Sequence, residues 1–399
     1  MKTETVRGIY ANGLCNSCGL CVGVCPKQAI EYKRSVEGFL KPVVNNRKCT
    51  QCALCVTYCP GSTYYNLQKE QENTTADRAE KYYVIHSQNP SERYSAASGG
   101  FVTELLCFLL EKNYVDACVV IPQVRNTLTV RPVITNDTLQ IREAKGSKYI
   151  PVEYGHILPQ IKKSKDRFAL VALPCQTEML KKYFGKEQNR ITIITLMCNH
   201  MTGSAGTKMV LGKNRASGDF SYDYRGKGWP GCVSVNGKTV GFYKEIYQGK
   251  FGGYFYPERC RMCDNHIGKE ADIVVADNYC WNETQNQEGN TFCICRDETL
   301  NGMIKQMSWE NTIAAEQLMF EKPEDFRKHF VGISQLEAFI PIILSGRKAL
   351  GLRVPRGAEK FQAGTSTIKN IVMYLSVKKE KLKSILYSAY IQGRYWWIK

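Results

Sequence analysis

Eight cysteines in the first 59 residues fall into two runs of identical spacing. Cys15, Cys18, Cys21 and Cys25 precede Pro26; Cys49, Cys52, Cys55 and Cys59 precede Pro60. Each run reads C-x2-C-x2-C-x3-C-P, the spacing that holds paired [4Fe–4S] clusters. Three closely spaced thiolates wrap one core within a tight loop whose backbone N–H groups can point at sulfur. The fourth, beyond a proline-bounded turn, reaches the other core. On that rule Cys15, Cys18, Cys21 and Cys59 hold one cluster, and Cys49, Cys52, Cys55 and Cys25 the other. A zinc knuckle has no use for the third and fourth cysteines and the proline, twice over.

The elements that position these loops form a repeat with pseudo-two-fold symmetry, as in bacterial ferredoxins, and residues 1–67 read as a module of that type. The sequence predicts short strands at 29–32 and around Tyr64 that pair after the cluster loops. Residues 68–81 (QKEQENTTADRAEK) are polar without apolar periodicity and read as a linker. From residue 82 to 345 the pattern changes. YYVIHS (82–87), ACVVIP (117–122), FALVALP (168–174), ITIITLMC (191–198) and ADIVVAD (271–277) read as buried strands. Helical stretches are expected at 100–113, 176–185 and 207–215. The alternation predicts an α/β (α+β) domain built on a mixed sheet.

Two segments of this domain invite an anion. Ser98, Gly99 and Gly100 precede an apolar helical run, where free N–H groups suit a flavin or nucleotide phosphate, or serve only as cap and turn. Lys145, Gly146, Ser147, Lys148 and Tyr149 place two cations around a turn beside an aromatic ring. The alternative is an exposed basic loop. Four further cysteines also stand out: Cys175 and Cys198 end strands, and Cys260 and Cys263 form a C-x2-C. Converging, they would bind a third [4Fe–4S] cluster; zinc and unrelated core thiols are the rivals. Cys107, Cys118, Cys232, Cys280, Cys293 and Cys295 are scattered and read as small apolar core groups. Asp264, His266 and His200 are acid–base candidates by proximity to the cysteine motifs alone.

At SAASGGFVTELL (95–106), KGSKYI (145–150), ALPCQTEML (172–180), MCNH (197–200), YDYRGKGWPG (222–231) and ERCRMCD (258–264) the chain resembles the coenzyme F420 hydrogenase/dehydrogenase beta-subunit family. The likeness covers about residues 10–300. It implies an α/β flavoprotein carrying FAD and iron–sulfur clusters, which exchanges two electrons with a small organic partner: F420 in some members, another substrate in others. Ser98, Gly99, Gly100, Ser147 and Lys148 match positions expected near FAD. Cys175, Cys198, Cys260 and Cys263 match family cysteines that ligate a cluster beside the flavin. The chain departs from the family with Leu173 before Pro174-Cys175, with Cys198-Asn199-His200 for Cys-His-Gly, and with Ala276 before Asp277.

Composition sets the bounds. The 399 residues are 43% apolar and 11% aromatic, which excludes a largely disordered chain. No apolar run reaches the ~18 residues of a spanning helix, and the start (MKTETVRGIYANGLC) has no apolar h-region, so a cytoplasmic protein without a secretory signal is expected. The net charge is +17, and residues 345–399 supply 12 Lys/Arg against 2 Asp/Glu. The tail, residues 346–399, mixes lysines with apolar triplets and ends in Tyr395, Trp396 and Trp397. It could lie on an anionic membrane, dock an acidic partner, or pack on the main domain. No nucleic-acid reader motif accompanies the charge.

The sequence as a whole reads as an iron–sulfur flavoprotein oxidoreductase, taking low-potential electrons from ferredoxin or a similar donor to a small organic substrate. An electron-transfer subunit with no substrate of its own is the second reading, and a zinc-bound interaction protein the third.

Overall fold

The computed structural model describes residues 5–62, 80–214, 219–250, 255–278 and 288–319, with Leu344 and Leu350. The segment 68–79, the residues around Tyr64, Cys280 and the basic tail apart from Leu350 lie outside the described residues.

The N-terminal hairpin consists of β1 (Ile30–Arg34) and β2 (Leu40–Val44), antiparallel with Ile30 opposite Val44. The sequence places the partner of β1 around Tyr64; the partner observed is β2. A turn at Ser35–Gly38 closes this pairing locally, with Gly38 at φ 85° and its N–H donating to the Ser35 carbonyl (2.9 Å). A short loop of this kind costs little closure entropy. The hairpin stands between the two cysteine runs, where Ile30 and Val44 are buried.

The remaining strands are β3 (Lys81–Ser87), β4 (Ala117–Val120), β5 (Val124–Arg125), β6 (Val133–Thr135), β7 (Phe168–Ala172), β8 (Ile191–Leu196), β9 (Ser221–Asp223), β10 (Cys232–Val235), β11 (Lys238–Phe242), β12 (Ile273–Asp277), β13 (Thr291–Cys295) and β14 (Ile313–Leu318). Eight of them form one sheet in the order β14-β3-β13-β12-β8-β7-β4-β6. Its centre, β12-β8-β7-β4, is parallel; the strands outside it are antiparallel. The five predicted strands all belong to this sheet. Their near-continuous apolar runs are what a sheet covered on both faces requires.

One face, with Val119, Leu170 and Ile193, packs with Met179 and Leu180 of the helix Pro174–Phe184. Ile9, Leu14, Leu20, Val24 and Cys55 continue that core, so the cysteine module and the sheet share one apolar interior. The opposite face meets the helices Phe101–Glu111 and Glu298–Trp309 through Leu105, Leu109, Leu300 and Ile304. Cys107, Cys118, Cys293 and Cys295 are buried there, while Cys232 is half-buried. A second sheet, β11-β10-β9-β5, packs with the helix Ser204–Asn214 around Tyr222, Tyr224 and Tyr247. No helix among the described residues is long and apolar enough to cross a membrane.

Candidate metal centres

The two cysteine loops share a backbone device. Ser17 and Gly19 in the first loop, and Gln51 and Ala53 at matching positions in the second, all have positive φ, between 54° and 76°. Three of these residues carry a Cβ and adopt the left-handed region at a cost. The reversal at Ser17 turns its N–H toward Cys15 Sγ (3.3 Å), and after Gln28, also at positive φ (47°), the N–H of Ala29 donates to Cys25 Sγ at 3.3 Å. Gly61 and Ser62 do the same for Cys59, and Val6 for Cys55.

Each loop pair encloses a cavity. One is bordered by Cys15, Cys18, Cys21 and Cys59, the other by Cys25, Cys49, Cys52 and Cys55. These are the crossed sets that the spacing predicts. Burial, reinforced by Cys59, pushes the Cys15 thiol up to about 12, and burial raises Cys18 and Cys21 well above the ordinary thiol range. Burial does the same to core thiols elsewhere; what marks these is that four of them line each cavity, met by backbone N–H groups. The donor set therefore suits iron–sulfur cores.

The other four cysteines come from three places. Cys175 lies in the first turn of the helix Pro174–Phe184, Cys198 just past β8, and Cys260 and Cys263 at and after the short helix Glu258–Met262. Burial and then Cys18, Cys263, Cys198 and Cys260 raise the Cys175 thiol. The four are thus one another's electrostatic neighbours, with Cys18 of the first set beside them. Local bonds fix the site: the Cys198 N–H donates to the His266 carbonyl (3.0 Å), and Asn265 Nδ2 to the Pro174 carbonyl (3.4 Å). Among the described residues no three His, Cys, Asp or Glu side chains close around a single ion.

His200 stacks on Tyr256 with ring centroids 3.4 Å apart, and burial holds its imidazole neutral, pushed down to about 3. His266 meets the Cys198 carbonyl at 2.8 Å through Nδ1, and Asp264 is buried near the same loop. These contacts give both histidines a structural part.

Arg259, which no local sequence pattern marks, is 2% exposed; its Nη1 donates to the Met262 carbonyl (2.7 Å), and its charge acts on both Cys59 and Cys260. It is a buried cation between the first and third thiol sets.

The expected flavin segments are positioned differently from one another. Gly99 and Gly100 have φ of 72° and 82°, and a Cβ on Gly99 would stand 3.1 Å from Asn290 Cα and 3.2 Å from the Ile85 carbonyl. Ser98 Oγ donates to the Asn290 carbonyl at 2.9 Å. These residues let the helix Phe101–Glu111 start hard against β3 and β13. The Lys148 ammonium is spent on its own loop, donating to the carbonyls of Ala144, Lys145 (2.9 Å) and Gly146 (2.8 Å). Lys145 pairs with Glu92 at 2.9 Å.

The segment 224–231 joins the two regions. The Gly228 N–H donates to the Tyr94 carbonyl (2.8 Å), and a Cβ on Gly226 would be 3.0 Å from the Ser95 carbonyl. At its centre Arg225 binds Asp277 through two bonds of 2.8 and 3.2 Å, and lies 4.8 Å from the Tyr243 ring centroid. Tyr243 in turn stacks on Tyr149 at 4.9 Å. Arg225 and Asp277 stand 52 residues apart in the chain, and nothing local in the sequence marks them as a pair.

A mixed sheet fused to two cysteine cavities, with a third thiol set between them and a glycine-rich loop, defines an iron–sulfur protein of the oxidoreductase type. The model of the coenzyme F420 hydrogenase/dehydrogenase beta subunit matches residues 82–158 with its N-terminal part and 165–320 with its C-terminal part. A 4Fe-4S dicluster domain matches residues 14–62. The chain belongs to the F420 hydrogenase/dehydrogenase beta-subunit family and carries that dicluster domain at its N-terminus. It is 24% identical over 265 residues, 62% of this chain, to an uncharacterized protein of Methanocaldococcus jannaschii, covering 93% of it. Its fold is similar to a chain of the F420-reducing [NiFe] hydrogenase complex from Methanosarcina barkeri (TM-score 0.51, 15% identity, 68% of this chain and 93% of that one).

Proposed function

We propose that the protein is an iron–sulfur flavoprotein oxidoreductase that takes single low-potential electrons through its cysteine sets and delivers two through FAD to a small organic substrate. The observation that carries this reading is the run of thiol neighbours from the surface inward. Cys55 neighbours Cys21 and Cys59, and Cys18 neighbours Cys175. Cys15, Cys18, Cys21 and Cys59 would hold one cluster; Cys25, Cys49, Cys52 and Cys55 the second; Cys175, Cys198, Cys260 and Cys263 the third. FAD is supported by the family likeness and by the meeting of segments 95–100, 145–149 and 225–231. Bound there, the clusters would relay single electrons and the flavin would collect them in pairs.

The chain's own residues set the conditions for this. Amides aimed at sulfur stabilise charge on the thiolates, and the shared apolar interior keeps water from the path. Lys148 ties down the 144–148 turn so that Gly146 and Ser147 can face a ligand with their backbone. Replacing Cys15 and Cys49 by Ala should abolish flavin reduction by reduced ferredoxin while bound FAD remains. Flavin reduction at the unaltered rate would defeat the proposal.

A second reading, an electron-transfer subunit serving a larger assembly, is favoured by the likeness to a chain of a hydrogenase complex. Turnover by the isolated chain supports the enzyme, and turnover only after adding a partner chain supports the subunit.

A further inference from the structure

We infer that the surface around Cys52 is the docking face for an acidic one-electron carrier protein. The inference rests on reading the N-terminal cysteine sets as clusters. Of the twelve candidate ligands, Cys52 alone is exposed; the others are half-buried or buried. Interprotein electron transfer requires close approach, so a donor must touch the molecule at that edge. Around Cys52 the exposed residues Pro26, Lys27, Thr50 and Gln51 form an open surface. An open edge of this kind suits a protein partner.

The charge of the edge selects the partner. Lys27 borders the same cavity as Cys52, and Arg47 and Lys48 lead directly into Cys49; all three side chains are exposed. Arg7 is held at this edge by its Nη2, which donates to the Val44 carbonyl (2.9 Å) and Asn46 Oδ1 (3.1 Å). Residues 5–62 contain seven Lys/Arg and two Asp/Glu, of which Glu37 is buried. Two oxidised clusters, about −2 each with their thiolates, would offset most of that excess in sum. They would not offset it at the rim, where the cations stand outside the sulfur cage. A basic rim around the most exposed candidate ligand steers an anionic partner to the redox edge, and transient redox contacts are small enough to depend on such steering.

The test is a triple charge reversal, Lys27→Glu, Arg47→Glu and Lys48→Glu, in the anaerobically purified full chain. Cluster reduction is followed by stopped flow with two donors: a reduced acidic two-cluster ferredoxin, and photoreduced 5-deazariboflavin, which is neutral. The wild-type rate with the ferredoxin should fall as salt is added, and the triple variant should be slower by about 10-fold or more at low salt. Both chains should react alike with the neutral donor, and the control Lys238→Glu, Lys305→Glu should keep the wild-type rate with both. An unchanged ferredoxin rate in the triple variant, or a salt-independent wild-type rate, would overturn the docking face. Failure of the neutral donor to reduce the wild type would overturn the cluster reading as well.

Discussion

Gln176 ties the third thiol set to the first: its Nε2 donates to the Cys18 carbonyl at 3.1 Å while its Oε1 accepts the Leu173 N–H at 2.8 Å. The residue next to Cys175 thus holds the loop that carries Cys18. Gln176→Leu leaves both half-buried backbone groups without their partner, at about 1 kcal/mol each. A fall in the thermal midpoint together with slower flavin reduction at unchanged iron content is expected. An unaltered flavin-reduction rate would detach this contact from the electron path.

The cysteine module approaches the sheet domain through glycine. The Gly155 N–H donates to the Gly19 carbonyl at 2.7 Å, and a Cβ on Gly155 would stand 2.4 Å from that oxygen and 2.8 Å from the Gly23 nitrogen. Backbone cannot give way as a flexible side chain can, so Gly155→Ala should cost about 1–3 kcal/mol by overpacking. Denaturant titration followed at the cluster absorbance checks this.

Arg225 and Asp277 are 3% and 14% exposed, so Asp277→Asn strands a buried guanidinium. The expected cost is about 3–5 kcal/mol. Flavin should be lost from the purified protein while iron is retained, which absorbance and metal analysis of one sample would show. Retained flavin would move the FAD site away from this pair.

Arg259 places positive charge beside Cys59 and Cys260. Reduction adds negative charge to a cluster, so a neighbouring cation raises its potential. Arg259→Gln should lower the potentials of the first and third clusters by some tens of millivolts, on the order expected for one unit charge at short range in a partly polar interior. The second cluster should be unmoved. EPR-monitored redox titration separates the three.

The carboxylate of Asp116 is held down to about 2 by hydrogen bonds from the Arg167 side chain and backbone, at 2.7–3.1 Å. The folded value lies below the ordinary one, so the contribution is complete above about pH 4 and is lost as pH falls toward 2. The pair is exposed and the effect modest. Asp116→Asn should lower the thermal midpoint at neutral pH and flatten its acid dependence over that window.

How far these features could be read in advance depended on the range of the interactions. The expected strands 82–87, 117–122, 168–174, 191–198 and 271–277 match β3, β4, β7, β8 and β12 because buried runs announce themselves locally. The small sheet was missed: Ser221–Asp223 and Lys238–Phe242 are short and half-exposed, and their pairing is tertiary. The N-terminal cysteines group by spacing, since three cysteines of each set fall within one short loop. Cys175, Cys198, Cys260 and Cys263 span 89 residues; strand ends and a C-x2-C suggest their grouping, with zinc or unrelated core thiols as rivals, and the family likeness favours it. Gln176, Arg225 and Arg259 act across the fold, so no local pattern points to them. The sequence offers Lys148 either to an anion or to an exposed basic loop; that its ammonium binds three carbonyls of its own loop depends on the turn's backbone, which charge alone does not reveal.

The central claim is a continuous path through three clusters, and iron content tests it most directly. Anaerobically purified wild-type protein should contain about 12 iron and 12 acid-labile sulfide per chain, and Cys198→Ala about 8 of each, with one flavin in both. About 8 iron in both proteins, or zinc alongside 8 iron in the wild type alone, would contradict the third cluster and break the path.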